Sequence, residues 1–146
     1  MADQETLLSL ADDEVAVEAF LTGRGGHLAL DAANPAIYWL TVRPCSAPLE
    51  AYNVRLAWTA YPHSAPSIRF ADAPGGSVTV TGAWPVIAGY RAASFDICKP
   101  MSAEGYGLHP EWQSGPDAWP TTGNPFLWVA EMIQFDLDNS YAGRAS

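Results

Sequence analysis

The sequence predicts an α+β fold with, in order, an N-terminal helix, an antiparallel β-meander of about four strands, a long irregular loop region and a C-terminal helix. Apolar residues recur at helical spacing near both ends of the chain, in residues 1–26 and 125–141. Residues 52–59 show the cleanest alternation of apolar and polar side chains, which is typical of a strand. Other short runs follow one another with short connections, which favours antiparallel pairing.

Length and composition indicate one folded domain spanning residues 1–146. The chain is 49% hydrophobic and only 16% charged, which is typical of a protein with a buried core. No apolar run approaches the roughly 18 residues that a membrane-spanning helix needs, and residues 1–5 lack the basic start of a secretory signal. We therefore expect a cytoplasmic protein. The net charge of −9 disfavours nucleic acids and anionic membranes as partners.

The N-terminal helix is predicted in two alternative forms. Residues 7–11 and 15–21 supply two apolar patches, and Asp12 and Asp13 lie between them. Either these aspartates cap a second helix, or one continuous helix turns them towards water. Gly23 is the natural end of the helical segment in both forms.

Four short runs are strand candidates, namely residues 27–31, 36–43, 52–59 and 67–70. The second run is apolar on both faces. We therefore expect a helix to cover one of its faces and loops to touch the other.

The chain between residues 71 and 124 has weaker patterns. Residues 77–81 give a short strand signal, and residues 92–99 place Phe95 and Ile97 on one face if they are extended. Residues 100–124 have no periodicity and contain four prolines and four glycines, so they predict the irregular region. A loop of this length in a small domain is either functional or disordered.

Two tryptophans argue that the irregular region is ordered. Trp112 and Trp119 lie within it, and each would bury a large area against the body of the protein.

The C-terminal helix is predicted to begin near Pro125, which suits the first turn, with Asn124 or Thr122 as its cap. Residues 142–146 are predicted to fray.

Two prolines stiffen the crossing between the third and fourth strand candidates. Residues 61–70 read Tyr-Pro-His-Ser-Ala-Pro-Ser-Ile-Arg-Phe, and the prolines fix φ and cannot donate ladder hydrogen bonds, so the chain must turn. This order resembles the loop between the third and fourth strands of ubiquitin-conjugating (E2) folds. The family usually has two adjacent prolines where this chain has Ala65-Pro66. The order of helix, meander, loop, cysteine and helix resembles the same family over most of the chain.

The resemblance identifies Cys98 as the candidate catalytic residue. E2-like enzymes carry the C-terminal carboxyl of a protein modifier as a thioester on one cysteine, and Ile97-Cys98 resembles the dipeptide at that place. Trp112 or Trp119 resembles the tryptophan that usually follows. A thiol suits this work because it is nucleophilic near neutral pH and its thioester stays reactive towards amines. The resemblance implies an E1-like activating enzyme, a ubiquitin-like modifier and a target protein as partners, and no cofactor.

The charges beside Cys98 oppose one another. Lys99 would favour the thiolate, and Asp96 would disfavour it. Lys99 is also the only lysine, against six arginines. Codon bias in a GC-rich genome is one explanation. The alternative is that an enzyme that acylates lysines gains by having few of its own.

The chain departs from the E2 pattern before the cysteine. Typical E2 enzymes have His-Pro-Asn there, and the asparagine is thought to stabilise the oxyanion. This chain has Trp84-Pro85 and no asparagine between Asn53 and Asn124. An oxyanion donor would have to come from backbone amides or from elsewhere in the fold.

Other candidate site residues follow the cysteine. His109 is proposed to orient or deprotonate an incoming amine, since its ordinary pKa is near neutrality. Asp117 and Glu104 are proposed bases beside the site. The alternatives are a histidine bonded to backbone and solvated carboxylates. Cys45 is expected to be a plain thiol, and no His/Cys cluster has the spacing of a metal site.

Three functions remain open from the sequence. The first is a bacterial-type E2-like conjugating protein. The second is a non-catalytic adaptor of the same fold, like the E2-variant or RWD-like proteins, which bind partners through the meander and loops. The third is an unrelated small α+β binding protein.

Overall fold

The computed structural model of the chain describes residues 2–146 and confirms the predicted α+β class. The helices are α1 (Gln4–Thr22), α2 (Ala103–Leu108) and α3 (Pro125–Ser140). The strands are β1 (His27–Leu30), β2 (Ile37–Val42), β3 (Tyr52–Ala57), β4 (Ser67–Ala71), β5 (Tyr90–Arg91) and β6 (Asp96–Ile97). No helix within the described part of the chain is long and apolar enough to cross a bilayer.

The N-terminal segment forms one continuous helix, so of the two predicted forms the unbroken one is correct. The side chain of Asp3 caps α1 by accepting a hydrogen bond from the backbone N–H of Thr6 at 2.8 Å. Asp13 does not simply face water as expected, because its carboxylate accepts a hydrogen bond from the hydroxyl of Tyr61. The helix stops at Gly23, as predicted.

The four-stranded sheet is the predicted meander, with strand order β1-β2-β3-β4 and every neighbour antiparallel. The register places Leu40, Val54 and Phe70 side by side on one face. All three side chains are fully or almost fully buried. The alternation of buried and partly exposed side chains, which is regular in β3, therefore marks the inner face of the sheet.

Helix α3 completes the core above this face. Its N-cap is Asn124, whose side chain accepts a hydrogen bond from the backbone N–H of Leu127, and Pro125 occupies the first turn, as predicted. The Phe126 ring meets Tyr38 at 4.9 Å and Trp58 at 5.5 Å between ring centroids. Helix α3 also packs against α1, so the two helices and the inner face of the sheet share one core.

The strand predicted at residues 77–81 does not form. Ser77 instead bonds locally, since its hydroxyl accepts a hydrogen bond from the backbone N–H of Thr79 at 3.2 Å, and a short 3-10 turn follows at Thr81–Ala83. The predicted extended run at residues 92–99 shortens to β6 because Phe95 adopts a left-handed conformation with φ 57°. Strands β5 and β6 pair as a small antiparallel hairpin.

The irregular region is ordered, as its tryptophans predict. It contains α2 and a 3-10 turn at Pro110–Ser114. Trp119 is buried, and its indole N–H donates to the carbonyl of Pro62 at 2.8 Å.

The prediction that residues 142–146 fray is wrong. The backbone of this tail pairs with residues 84–86, with hydrogen bonds from Val86 to Gly143 at 2.7 Å and from Ala145 to Trp84 at 2.9 Å. The guanidinium of Arg144 lies 4.2 Å from the centre of the Tyr52 ring. The partners of this tail lie far away in sequence, so local composition does not reveal them.

Removing the hydroxyl of Tyr61 should destabilise the fold. This oxygen donates to Asp13 and accepts the backbone N–H of Phe126 at 3.2 Å. Tyr61→Phe leaves both partners without this bond, so we expect a loss of about 1–3 kcal/mol in the free energy of unfolding. Leu49→Ala is the control, because Leu49 is almost fully exposed. Denaturant melts should separate the two variants; equal stabilities would contradict the role of this hydroxyl.

Candidate functional site around Cys98

Cys98 lies at the end of the small hairpin, directly after β6. Its backbone N–H donates to the carbonyl of Gly89 at 2.8 Å. Gly89 has φ 88°, and a Cβ there would lie 3.0 Å from the Lys99 side chain. Glycine at position 89 therefore permits both this backbone conformation and the close approach to residues 98 and 99. The sulfur belongs to a free, partly exposed cysteine.

Each charge that flanks Cys98 has a partner of its own. Asp96 forms a bidentate ion pair with Arg91, with both bonds at 2.7 Å. This pair raises the pKa of the Arg91 guanidinium, and the nearby Cys98 sulfur adds to the effect. Lys99 pairs with Asp136 of α3 at 3.0 Å. The sequence predicted that the charges of Lys99 and Asp96 would have opposite effects on the Cys98 thiolate. In the structure, each of these two side chains instead forms an ion pair with a different residue.

Asp136 is a residue of the site that sequence patterns did not identify. It is only 4% exposed, and its second oxygen accepts a hydrogen bond from the Tyr90 hydroxyl at 2.8 Å. Burial and the charge of Asp136 raise the pKa of Tyr90 well above its ordinary value, so this hydroxyl remains a neutral donor. A signal was present, because Asp136 falls on the buried stripe of α3 beside Ile133 and Leu137.

His109 is partly exposed and bonded to neighbours in sequence. Its Nδ1 lies 3.1 Å from Glu111, and its ring stacks on Trp112 with centroids 4.3 Å apart. Within residues 2–146 no hydrogen bond or ion pair joins His109 to Cys98. Any role in catalysis therefore requires His109 to act on the incoming amine itself.

The two loop carboxylates have different surroundings. Asp117 is exposed, and its backbone carbonyl accepts a hydrogen bond from the Tyr106 hydroxyl at 2.6 Å. Glu104 accepts hydrogen bonds from the Ser67 hydroxyl at 2.6 Å and from the backbone N–H of Ile68 at 3.2 Å. The structure thus places Glu104 in the joint between α2 and β4, where it holds the fold together.

Lys99, the residue that follows Cys98, lies in the wall of a groove of about 190 Å³. Lys99 and Asp117 line it together with apolar residues that include Met101, Trp128 and Met132. The structure therefore brings Asp117 to the same groove as the residue that follows the cysteine. Its volume is below the roughly 300 Å³ at which ligand pockets usually begin, so it offers a shallow contact surface and not an enclosing pocket.

Cys45 differs from Cys98 in its electrostatic surroundings. It is exposed in the connection between β2 and β3, and its backbone N–H donates to the carboxylate of Asp138 at 2.9 Å. Partial desolvation of the sulfur, together with the nearby Asp138, raises the pKa of the Cys45 thiol. Because the thiolate is the nucleophile, the raised pKa makes the Cys45 thiol less reactive near neutral pH.

No group of three or more His, Cys, Asp or Glu side chains in residues 2–146 has an arrangement that could hold a metal ion.

The fold and the site define an α+β protein in which a four-stranded meander and two helices share one core, with a free cysteine directly after the small β5–β6 hairpin. This order of elements is consistent with the topology of UBC-like folds. No protein-family model matches the chain, and no curated protein or solved structure matches it either.

Alkylation should distinguish the two thiols. At pH 7 we expect iodoacetamide to modify Cys98 at least about fivefold faster than Cys45, because a raised pKa leaves less thiolate at Cys45. Raising the pH should narrow the difference as the Cys45 thiol ionises. Asp138→Asn removes the negative charge beside Cys45 and should speed its alkylation without changing Cys98. Peptide mapping by mass spectrometry measures both sites, and faster modification of Cys45 would contradict this ranking.

Proposed function

We propose that this chain is an E2-like conjugating protein that carries a ubiquitin-like modifier as a thioester on Cys98 and transfers it to an amine. In the first step the sulfur attacks the thioester on an E1-like activating enzyme, a new C–S bond forms, and the thiolate of that enzyme leaves. In the second step an amine of the target protein attacks the carbonyl carbon, a C–N bond forms, and the Cys98 thiolate leaves.

One observation carries the proposal. A free, partly exposed cysteine follows immediately after the β5–β6 hairpin that comes after the meander, which is the place that the family resemblance assigns to the acyl-carrying cysteine. The raised pKa of Cys45 makes that thiol a weaker candidate for the acyl carrier near neutral pH. The groove beside Lys99 offers a surface on which the end of a modifier or an acceptor side chain can lie.

A non-catalytic adaptor is the alternative function, and the surroundings of the sulfur favour it in one respect. The backbone N–H of Cys98 is already bonded to Gly89, so it does not offer a donor to a developing oxyanion. No asparagine lies between Asn53 and Asn124 to replace it. An adaptor of this fold would bind partner proteins through the meander and loops without forming a thioester.

Charging with modifier tests the proposal. With the cognate E1-like enzyme and modifier, the wild-type protein should form an adduct that thiols remove. Cys98→Ala should lose it, and Cys98→Ser should form a more stable oxyester. Cys45→Ala is the matched control and should charge normally. An adduct that persists in Cys98→Ala would contradict the role of Cys98, and no adduct with any variant would favour the adaptor.

Discharge of the charged protein tests His109 and Asp117. If they act on the incoming amine, His109→Ala and Asp117→Asn should charge normally but transfer the modifier to free lysine about a hundredfold more slowly, at the lower end of the usual range for lost acid–base groups. Glu111→Gln is the control, because it removes the carboxylate beside His109 but keeps the imidazole. Unchanged discharge rates in both variants would remove these two residues from the mechanism.

A further inference from the structure

Lys99 poses a chemical problem for a thioester carrier. It is the only lysine in the sequence, and it directly follows the proposed acyl-carrying cysteine. A free amine beside a thioester attacks the carbonyl carbon, so that a C–N bond forms, the C–S bond breaks and the sulfur leaves as a thiolate. Transfer to Lys99 would leave the modifier attached to the carrier itself through an amide bond.

The structure holds this amine in an ion pair with a buried carboxylate. The Nζ atom of Lys99 lies 3.0 Å from Oδ1 of Asp136, and the Tyr90 hydroxyl bonds the other oxygen of the same carboxylate at 2.8 Å. The Nζ atom also lies 5.9 Å from the centre of the Tyr90 ring. The lysine side chain is 30% exposed, whereas the Asp136 side chain is 5% exposed. The acidic partner is therefore fixed, and it draws the lysine against α3.

The charges on either side of Cys98 are paired with different parts of the molecule. Asp96 pairs with the exposed Arg91 within the hairpin, whereas Lys99 pairs with Asp136 of α3. The Lys99 amine is therefore held by a partner outside the hairpin, while Cys98 itself is partly exposed.

We propose that Asp136 is a positioning residue that withholds the Lys99 amine from the acyl group on Cys98, an inference that rests on the proposed carrier function. For Lys99 to attack the thioester, its Nζ atom must leave Oδ1 of Asp136, which lies 3.0 Å away. The buried carboxylate would then lose its ion-pair partner, which is unfavourable. The ion pair thereby protects the carrier from acylating itself.

Amine labelling tests the shielding without E1 or modifier. A second lysine is introduced by Arg24→Lys, at an exposed position, as an internal reference. With a limiting N-hydroxysuccinimide ester of acetic acid, Lys99 should be acetylated at least about fivefold more slowly than the reference lysine. Asp136→Asn in the same background should remove most of that difference. Tyr90→Phe is the matched control: it removes the other hydrogen bond to Asp136 but leaves the ion pair, so Lys99 should stay protected.

Self-transfer links the shielding to function. In protein charged on Cys98, Asp136→Asn should accumulate modifier on Lys99 through a bond that survives thiol treatment, and wild type should not. Lys99→Arg in the Asp136→Asn background should abolish that product. Thermal unfolding confirms that each variant is folded.

Two results would overturn the proposal. One is labelling of wild-type Lys99 as fast as the reference lysine, which decides the question even if Asp136→Asn does not fold. The other is charged Asp136→Asn that labels readily at Lys99 but transfers no modifier to it. Failure of the wild-type protein to charge is a different result, because it removes the carrier function and leaves the labelling comparison intact.

Discussion

The loop at residues 61–66 holds the other parts of the molecule together. Its first residue, Tyr61, bonds α1 through Asp13 and the first turn of α3 through the backbone N–H of Phe126. The carbonyls of Pro62 and Pro66 accept hydrogen bonds from the Trp119 indole at 2.8 Å and from the N–H that begins α2 at 2.8 Å. Because prolines fix φ and donate no ladder hydrogen bonds, the loop leaves the sheet and offers its carbonyls to these distant elements.

The position of Cys98 depends on the same joint. The backbone of α2 is bonded to the loop, and a Cβ on Gly105 of this helix would collide with the backbone of Lys99. The buried hydroxyl of Ser102 caps α2 and also donates to the carbonyl of Ile97. Residues 97–105 are therefore packed as one unit beside β4. The backbone on either side of Cys98 is therefore held in place, by Gly89 through the Cys98 N–H and by α2 through Lys99.

Sequence patterns predicted the parts of the fold that depend on local periodicity. The alternation through Tyr52 and Val54 gave the central strand, and Asn124 with Pro125 gave the start of α3. The failures have two causes. The positive φ of Phe95 ended a predicted run, and the backbone of the C-terminal tail pairs with residues 84–86, which lie far away in sequence. Neither feature can be read from the local composition.

The site was predictable only in part for the same reason. Resemblance to the E2 family pointed to Cys98, and nothing local could pair its neighbour Lys99 with Asp136, which lies 37 residues further along the chain. The most direct test of Cys98 uses a small-molecule thioester, such as the acetyl thioester of 2-mercaptoethanesulfonate, followed by peptide mapping. An acetyl group on Cys98 that excess thiol removes is the expected result. Acetylation confined to Cys45, or absent from both thiols of the folded protein, would contradict the proposed role of Cys98 as the acyl carrier.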